Sequence, residues 1–216
     1  MHGRHRSNSR SKEEPKLKIV ILGPDGAGKS SVIAGLMKRF DRGARELRMR
    51  HLKPRMVAQL RGQPITIVYD PHAKPPRGTF LSLVKIVVWL AEEWYANLFQ
   101  EEKATLVICD RYYHDLLVDP KRYRFGAPLW IARLIGRLMP QPKLWILLNA
   151  PAEVVQTRKQ EVTPQETARQ CDAYLAFVRK LHPHVIVDAS QTLEKVIADV
   201  ELAINEALIE DEGDRG

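Results

Sequence analysis

One eight-residue segment constrains this chain more than any other: GPDGAGKS, residues 23–30, follows directly on the apolar, β-branched run Leu17–Leu22 (LKIVIL). Beyond it, Val32, Ile33, Leu36, Met37 and Phe40 recur at helical spacing through residues 29–40. The order strand, glycine turn, helix matters because a helix start carries unpaired N–H groups and the positive end of the helix dipole. Glycines at 23, 26 and 28 let the backbone curl until those groups converge on an anion. A segment matching GxxxxGK[ST] in this setting predicts a triphosphate cradle made by Gly23, Gly26, Ala27, Gly28, Lys29, Ser30 and Ser31. Lys29 would reach the β- and γ-phosphates, and the Ser30 hydroxyl would ligate Mg2+, so ATP and Mg2+ are the expected ligands.

Three more short apolar runs, residues 105–109 (TLVIC), 144–148 (LWILL) and 185–187 (VIV), alternate with helical patterns. They stop at Asp110, Asn149 and Asp188. A weaker strand is predicted over residues 46–52. Strands alternating with helices predict an α/β fold: a five-stranded parallel sheet with helices on both faces and ligands at the carboxyl ends of the strands. Those terminal polar residues then share one rim. Residues 53–79, rich in Pro, Gly and basic side chains, read as a long loop, of a length that favours function over mere connection.

A chain of 216 residues holds one such domain, expected over residues 17–209. Residues 1–18 carry six Lys/Arg against two Glu, and residues 206–216 carry five acids against one Arg, so the two ends cancel and the body holds the net charge of +8. Residues 1–16 are read as a disordered basic tail and 210–216 as an acidic one. A basic body fits nucleic acid, an anionic surface or a small polyanion; beside a phosphate loop, a small anionic acceptor is favoured, and no sequence-specific nucleic-acid motif is present. Cys109 and Cys171 have neither disulfide-framework nor zinc spacing, which with the absence of an apolar leader points to a cytoplasmic setting. The apolar stretch 80–91 is too short to span a membrane and is expected to be a buried helix. Residues 128–139 (PLWIARLIGRLM) form a second apolar helix, facing either the core, with Arg133 and Arg137 snorkelling, or a membrane surface or partner.

Asp25 inside the glycine loop, Asp110 and Arg111 at the end of LVICDRYY, residues 149–158 (NAPAEVVQTR) and residues 187–190 (VDAS) together resemble the thymidylate kinase family of P-loop nucleotide kinases, in order and spacing over most of residues 17–208. The resemblance implies the P-loop NTPase fold and an ATP-dependent phosphotransferase. It implies that Asp110 sits near magnesium and the acceptor phosphate, and that Arg111 bridges toward the transferring group. It further implies that Asp25 orients the acceptor, that Ala189 and Ser190 face the adenine, and that Arg158 belongs to a lid near residues 158–166 that also contains Lys159 and Glu161. Family members commonly dimerise, so a homodimer is implied as well.

The acceptor segments depart from that family. Where its members carry a TREPGGT-like segment after the second strand, this chain reads HLKPRMV (residues 51–57), and the segment after Arg111 reads YYHDLLVDPKRYRFGAP. Lys53, Arg55, Arg77, Tyr112, Lys121, Arg122 and Arg124 are the candidate acceptor-binding residues, with Tyr113, Tyr123 and Phe125 as further aromatics for stacking. His114 and Asp115 form either a base pair for a hydroxyl acceptor or, at Asp115, a helix cap. The expected acceptor is a nucleoside monophosphate. A sugar, sugar acid or lipid-linked acceptor and a non-catalytic nucleotide-binding module stay open.

Overall fold

The computed structural model describes residues 17–40, 47–51, 75–100 and 106–213. β1 (Leu17–Leu22) leads through the glycine loop into α1 (Lys29–Phe40), followed by β2 (Leu47–His51) and α2 (Thr79–Tyr95), whose final turn widens into π-type bonding over Ala96–Gln100. Then come β3 (Leu106–Asp110), the four-residue α3 (Asp115–Val118), α4 (Leu129–Gly136), β4 (Leu144–Asn149), α5 (Ala152–Arg158), α6 (Pro164–Val178), β5 (His184–Asp188) and α7 (Leu193–Gly213). All the pairings are parallel: β3, β1, β4 and β5 make a four-stranded sheet in that order, and β2 adds along the outer side of β3.

β1 is buried at all six positions because it lies between β3 and β4 with a helical layer on each face. Its odd residues Leu17, Ile19 and Ile21 pack with Val32, Ile33 and Leu36 of α1 and Val200 and Ile204 of α7. Val20 and Leu22 face the other layer, with Ile86 and Trp89 of α2, Tyr174 and Val178 of α6, and the buried Tyr112 and Tyr113. Lys18 breaks this alternation: its ammonium reaches Asn97 Oδ1 at 3.4 Å and lies 4.0 Å from the Glu93 carboxylate, so the buried charge has polar company.

Register fixes the rim. Ile21 pairs with Asp110, Leu22 with Leu147, and Asn149 with Asp188, so Asp110, Asn149 and Asp188 end their strands together beside the loop that leaves β1. The sheet order turns about β1, since β3 lies on one side and β4 on the other; a cleft opens at such a switch point. α6 starts on a local signal: the Thr163 hydroxyl accepts from the Glu166 N–H at 3.3 Å and Pro164 occupies the first turn.

Two expectations need correction. The 80–91 helix is not buried: Phe80, Leu81, Val84 and Val87 of α2 face outward, while Ser82, Ile86, Trp89 and Glu93 form its inner face. A helix apolar on all sides needs two covers, and the fold supplies one. The acidic end is not a free tail from residue 210 either, because α7 runs through Gly213 and Asp211 is buried in an ion pair with Lys143 at 3.0 Å. Among the described residues no helix is long and apolar enough to cross a membrane.

Candidate functional site

Gly23, Gly26 and Gly28 have φ of 145°, 93° and 88°, values that L side chains rarely adopt. At Gly26 the constraint is doubled, since a Cβ there would stand 2.6 Å from the Val155 carbonyl oxygen and 3.2 Å from Lys159 Cβ. The glycine loop is therefore pressed against α5, and the missing side chain is what permits it. The loop closes through Ala27 N–H on the Pro24 carbonyl at 3.2 Å and passes into α1 through Val32 N–H on the Gly28 carbonyl at 3.0 Å.

Lys29 is buried, and its ammonium donates to the Gly23 and Pro24 carbonyls, both at 2.7 Å. Burial, aided by the like charge of Arg111, pulls its pKa down to about 7. Asp25 stands on the tip of the same loop between two guanidiniums, Arg111 from the end of β3 and Arg122 from the segment after α3. Burial alone would raise the Asp25 carboxyl, but Arg111, Lys29 and Arg122 overcome it and hold the pKa well below the usual carboxylate range.

Arg111 has φ of 67°, a left-handed conformation rare for such a residue, at the point where its N–H donates to the Ile21 carbonyl at 3.2 Å. That turn sends the guanidinium back over the loop. Its Nη1 donates to Asp115 at 2.8 Å and to the Tyr174 hydroxyl at 3.1 Å, while Nη2 bonds Asp25. Asp115, fully buried, also accepts from the Tyr123 hydroxyl at 2.7 Å and from the Tyr174 hydroxyl. Arg122 is delivered by a braced segment: its N–H donates to Asp119 at 3.2 Å, and Asp119 also accepts from Gln170 of α6 at 3.1 Å.

The result is a cleft of about 520 Å³ whose walls include Lys29, Ser30, Asp110, Arg111, Arg122 and Arg158, with Asp25, Gly26, Gly28, Ser31 and Lys159. Next to it a smaller cavity of about 250 Å³ is lined by Ala27, Gly28, Ser31, Val32, Arg158, Ala189, Gln191, Leu193 and Val196. Arg158 borders both, its guanidinium donating to the Ala189 carbonyl at 2.8 Å. The large cleft is polar and mostly cationic, suited to a chain of phosphates, and the small one has the apolar walls a flat ring requires. Ser30 and Asp110 offer hydroxyl and carboxylate oxygens in the same cleft, donors that fit Mg2+. Among the described residues no three His, Cys, Asp or Glu side chains gather into a metal site.

All the predicted catalytic residues, Asp25, Lys29, Asp110, Arg111 and Arg158, line one cleft. The acceptor set divides. Arg122 joins the cleft, and Lys53 and Arg55 lie outside the described residues. Tyr112 must be withdrawn from the set: it is buried and its hydroxyl donates to the Pro140 carbonyl at 2.6 Å. Arg77 and Arg124 brace each other instead of lining the cleft, through Arg77 N–H on the Arg124 carbonyl at 2.8 Å and Arg124 Nε on the Pro75 carbonyl at 2.9 Å. Lys121 is exposed and is not among the lining residues.

Tyr113 and Phe125 are core residues, and His114 and Asp115 are both buried. The His114 ring packs edge-on to Trp145 at 5.0 Å, and burial pulls its pKa down to about 4, leaving it neutral at pH 7. Ser190 turns back, donating its hydroxyl to Asp188 at 2.6 Å, so Ala189 alone of that predicted pair faces the small cavity. Sequence reading missed Tyr174, Gln191 and Leu193, which carry no motif. It missed the Arg111–Asp115 bond as well, because Arg111 lies outside any helix and the i,i+4 spacing carries no signal there. Comparison with known proteins gave no match to a family model and none to a curated protein.

Proposed function

We propose that this chain is an ATP-dependent kinase of small molecules, with the P-loop NTPase fold and chemistry of the thymidylate kinase type, whose acceptor is a nucleoside monophosphate. One observation carries the reading: five basic side chains, Lys29, Arg111, Arg122, Arg158 and Lys159, surround one cleft floored by the glycine loop, with Asp25 and Asp110 beside them. A switch or a passive binding module needs the cradle but not Arg111 and Arg122 fixed on the side away from it. In the proposed reaction an acceptor phosphate oxygen attacks the γ-phosphorus of ATP, the bond from that phosphorus to the β–γ bridging oxygen breaks, and ADP leaves. Lys29, released from its two carbonyls, would hold the β- and γ-phosphates, and Arg158 would span phosphate and base. Arg111 and Arg122 would lie over charge developing in transfer, where a planar fork stabilises it most. When bound, Mg2+ supplies charge neutralisation to the phosphates, and Ser30 and Asp110 would be its protein ligands.

The state of Asp25 favours a phosphate acceptor over a hydroxyl. A carboxylate held so far into its ionised form is a weak base, whereas an already ionised phosphate needs none. The test is an acceptor screen with ATP and Mg2+ against nucleoside monophosphates, sugars and sugar acids, following ADP release and phosphorylated product. Turnover on a nucleoside monophosphate supports the reading; turnover confined to a neutral sugar, or ATP hydrolysis with no acceptor-dependent product, overturns it. Lys29→Ala should lower transfer by at least about 100-fold, and an unchanged rate would remove the role given to the loop.

A further inference from the structure

A second gathering of cations stands where α2 meets the segment that carries Arg122. Lys85 of α2, Arg77 just ahead of that helix and Arg124 are all half-buried. Backbone bonds fix them as a group: the Arg77 N–H donates to the Arg124 carbonyl, and the Gly126 N–H donates to Oγ of Ser82, three residues before Lys85. Arg124 has φ of 52°, a left-handed conformation rare for such a residue, and its Nε donates to the Pro75 carbonyl. Lys85 donates to the Tyr123 carbonyl, and its ammonium stands 4.6 Å from the centroid of the Trp89 ring and 5.3 Å from that of Tyr123.

Among the described residues neither Lys85 nor Arg124 meets a carboxylate, and the first turn of α2 holds no acid. The charges that act on Lys85 are those of Arg77 and Arg124; burial, together with these two like charges, pulls its pKa down to about 8. Carbonyls and ring faces hold a cation without cancelling its charge. Half-buried cations set this close repel one another until an anion joins them. Donors for that anion are at hand. The Nη groups of Arg124 bond nothing among the described residues, and the buried indole Nε1 of Trp89, on the ring beneath the Lys85 ammonium, has no hydrogen-bond partner there either.

Arg124 follows Arg122 by two residues, so their Cα atoms are at most about 7 Å apart. Arg122 lines the cleft and Arg124 is not among its walls, which sets the second cationic centre beyond the first but within reach of one small molecule. We infer that Lys85 and Arg124, with Arg77 beside them, hold a second anionic group of the acceptor, a phosphate or carboxylate apart from the phosphate that attacks. The inference rests on the phosphate-acceptor reading of the cleft and narrows it: the preferred nucleotide carries one more negative group than a plain monophosphate.

The test compares acceptors in pairs that differ by one anionic group: adenosine 5′-monophosphate against its 3′,5′-bisphosphate, and uridine 5′-monophosphate against orotidine 5′-monophosphate. Arg122 meets both members of a pair alike, so the ratio of their kcat/KM values reports the added group alone. In at least one pair a ratio of about ten or more in favour of the more anionic member is expected. It should fall toward one in Arg124→Gln and in Lys85→Gln and recover in Arg124→Lys, with circular dichroism unchanged. Turnover of monophosphates with neither pair favouring the more anionic member overturns the inference and leaves the transfer reading in place. A preference that Arg124→Gln and Lys85→Gln both leave intact overturns it too. If no nucleotide is turned over, the transfer reading falls, and calorimetry of inorganic phosphate with the full chain decides on the site. Phosphate binding weakened at least about tenfold by Arg124→Gln combined with Lys85→Gln upholds it; no binding, or binding unchanged in that double variant, overturns it.

Discussion

At Lys29, burial and charge pull in opposite directions: desolvation drives the ammonium toward neutrality while two loop carbonyls at 2.7 Å hold its protons. With a pKa of about 7 against an unfolded value near 10.5, the folded protein binds fewer protons than the unfolded chain between those limits. This residue's contribution to stability therefore rises as pH climbs from about 7 to about 10.5 and is flat below. A triphosphate restores negative charge beside the amine, so ATP binding at pH 8 should take up a proton. Calorimetry in buffers of different ionisation enthalpy measures the uptake, and Lys29→Met should abolish it. Asp25 has the opposite sign: its pKa is depressed, so its contribution is present above the ordinary carboxylate range near pH 4 and is lost as pH falls below it. Asp25→Asn keeps the shape but takes the counter-ion from Arg122 and one of two carboxylates from Arg111, which keeps Asp115. Transfer should drop at least about tenfold while inorganic phosphate competes with ATP more strongly, both readable from initial rates.

Among elements, the glycine loop was the most legible because its signal is local: three glycines, a lysine and a serine at fixed spacing, between a buried strand and a helix. The two glycines that look alike in sequence differ in surroundings. Gly28→Ala meets no atom within 4 Å and is opposed by backbone conformation alone, so about 1–2 kcal/mol of stability should be lost. Gly26→Ala adds a collision with the Val155 carbonyl and should cost more, at least about 3 kcal/mol, a difference urea titration resolves. The acceptor side was poorly legible because its contacts join distant parts of the chain. Asp25 and Arg122 are 97 positions apart, and Arg111 and Tyr174 are 63. Tyr112 and Tyr123 share a residue type and a segment, yet one closes on Pro140 and the other on Asp115; only packing decides between them. Asp115 is the centre of that packing. Asp115→Ala takes one of two carboxylates from the Arg111 guanidinium and the acceptor from the Tyr123 and Tyr174 hydroxyls, and should destabilise by about 3–5 kcal/mol, with Asp115→Asn losing less.

For the whole molecule, alternation of strand and helix foretold an open parallel sheet, and the register places the strand-end polar residues at one rim. What periodicity did not reveal was which side of α2 faces inward, since nearly every position on it is apolar. α2 now has two tasks. Its outer stripe forms the exposed apolar face, while from its inner side Lys85 donates to the Tyr123 carbonyl at 2.8 Å and Ser82 accepts from the Gly126 N–H at 3.0 Å. Those bonds flank the segment that presents Arg122. Loosening them with Ser82→Ala and Lys85→Met should raise the KM for acceptor more than the KM for ATP, by several-fold, in steady-state kinetics. The shared direction of the strands has a practical outcome. Leu17, Leu106, Leu144 and His184 begin their strands on the edge opposite the cleft, about 20 Å away along β1. A biosensor linker or fluorophore attached ahead of Leu17 therefore joins the protein from behind, and immobilised in that way it should meet nucleotide and acceptor in flow with its cleft unobstructed.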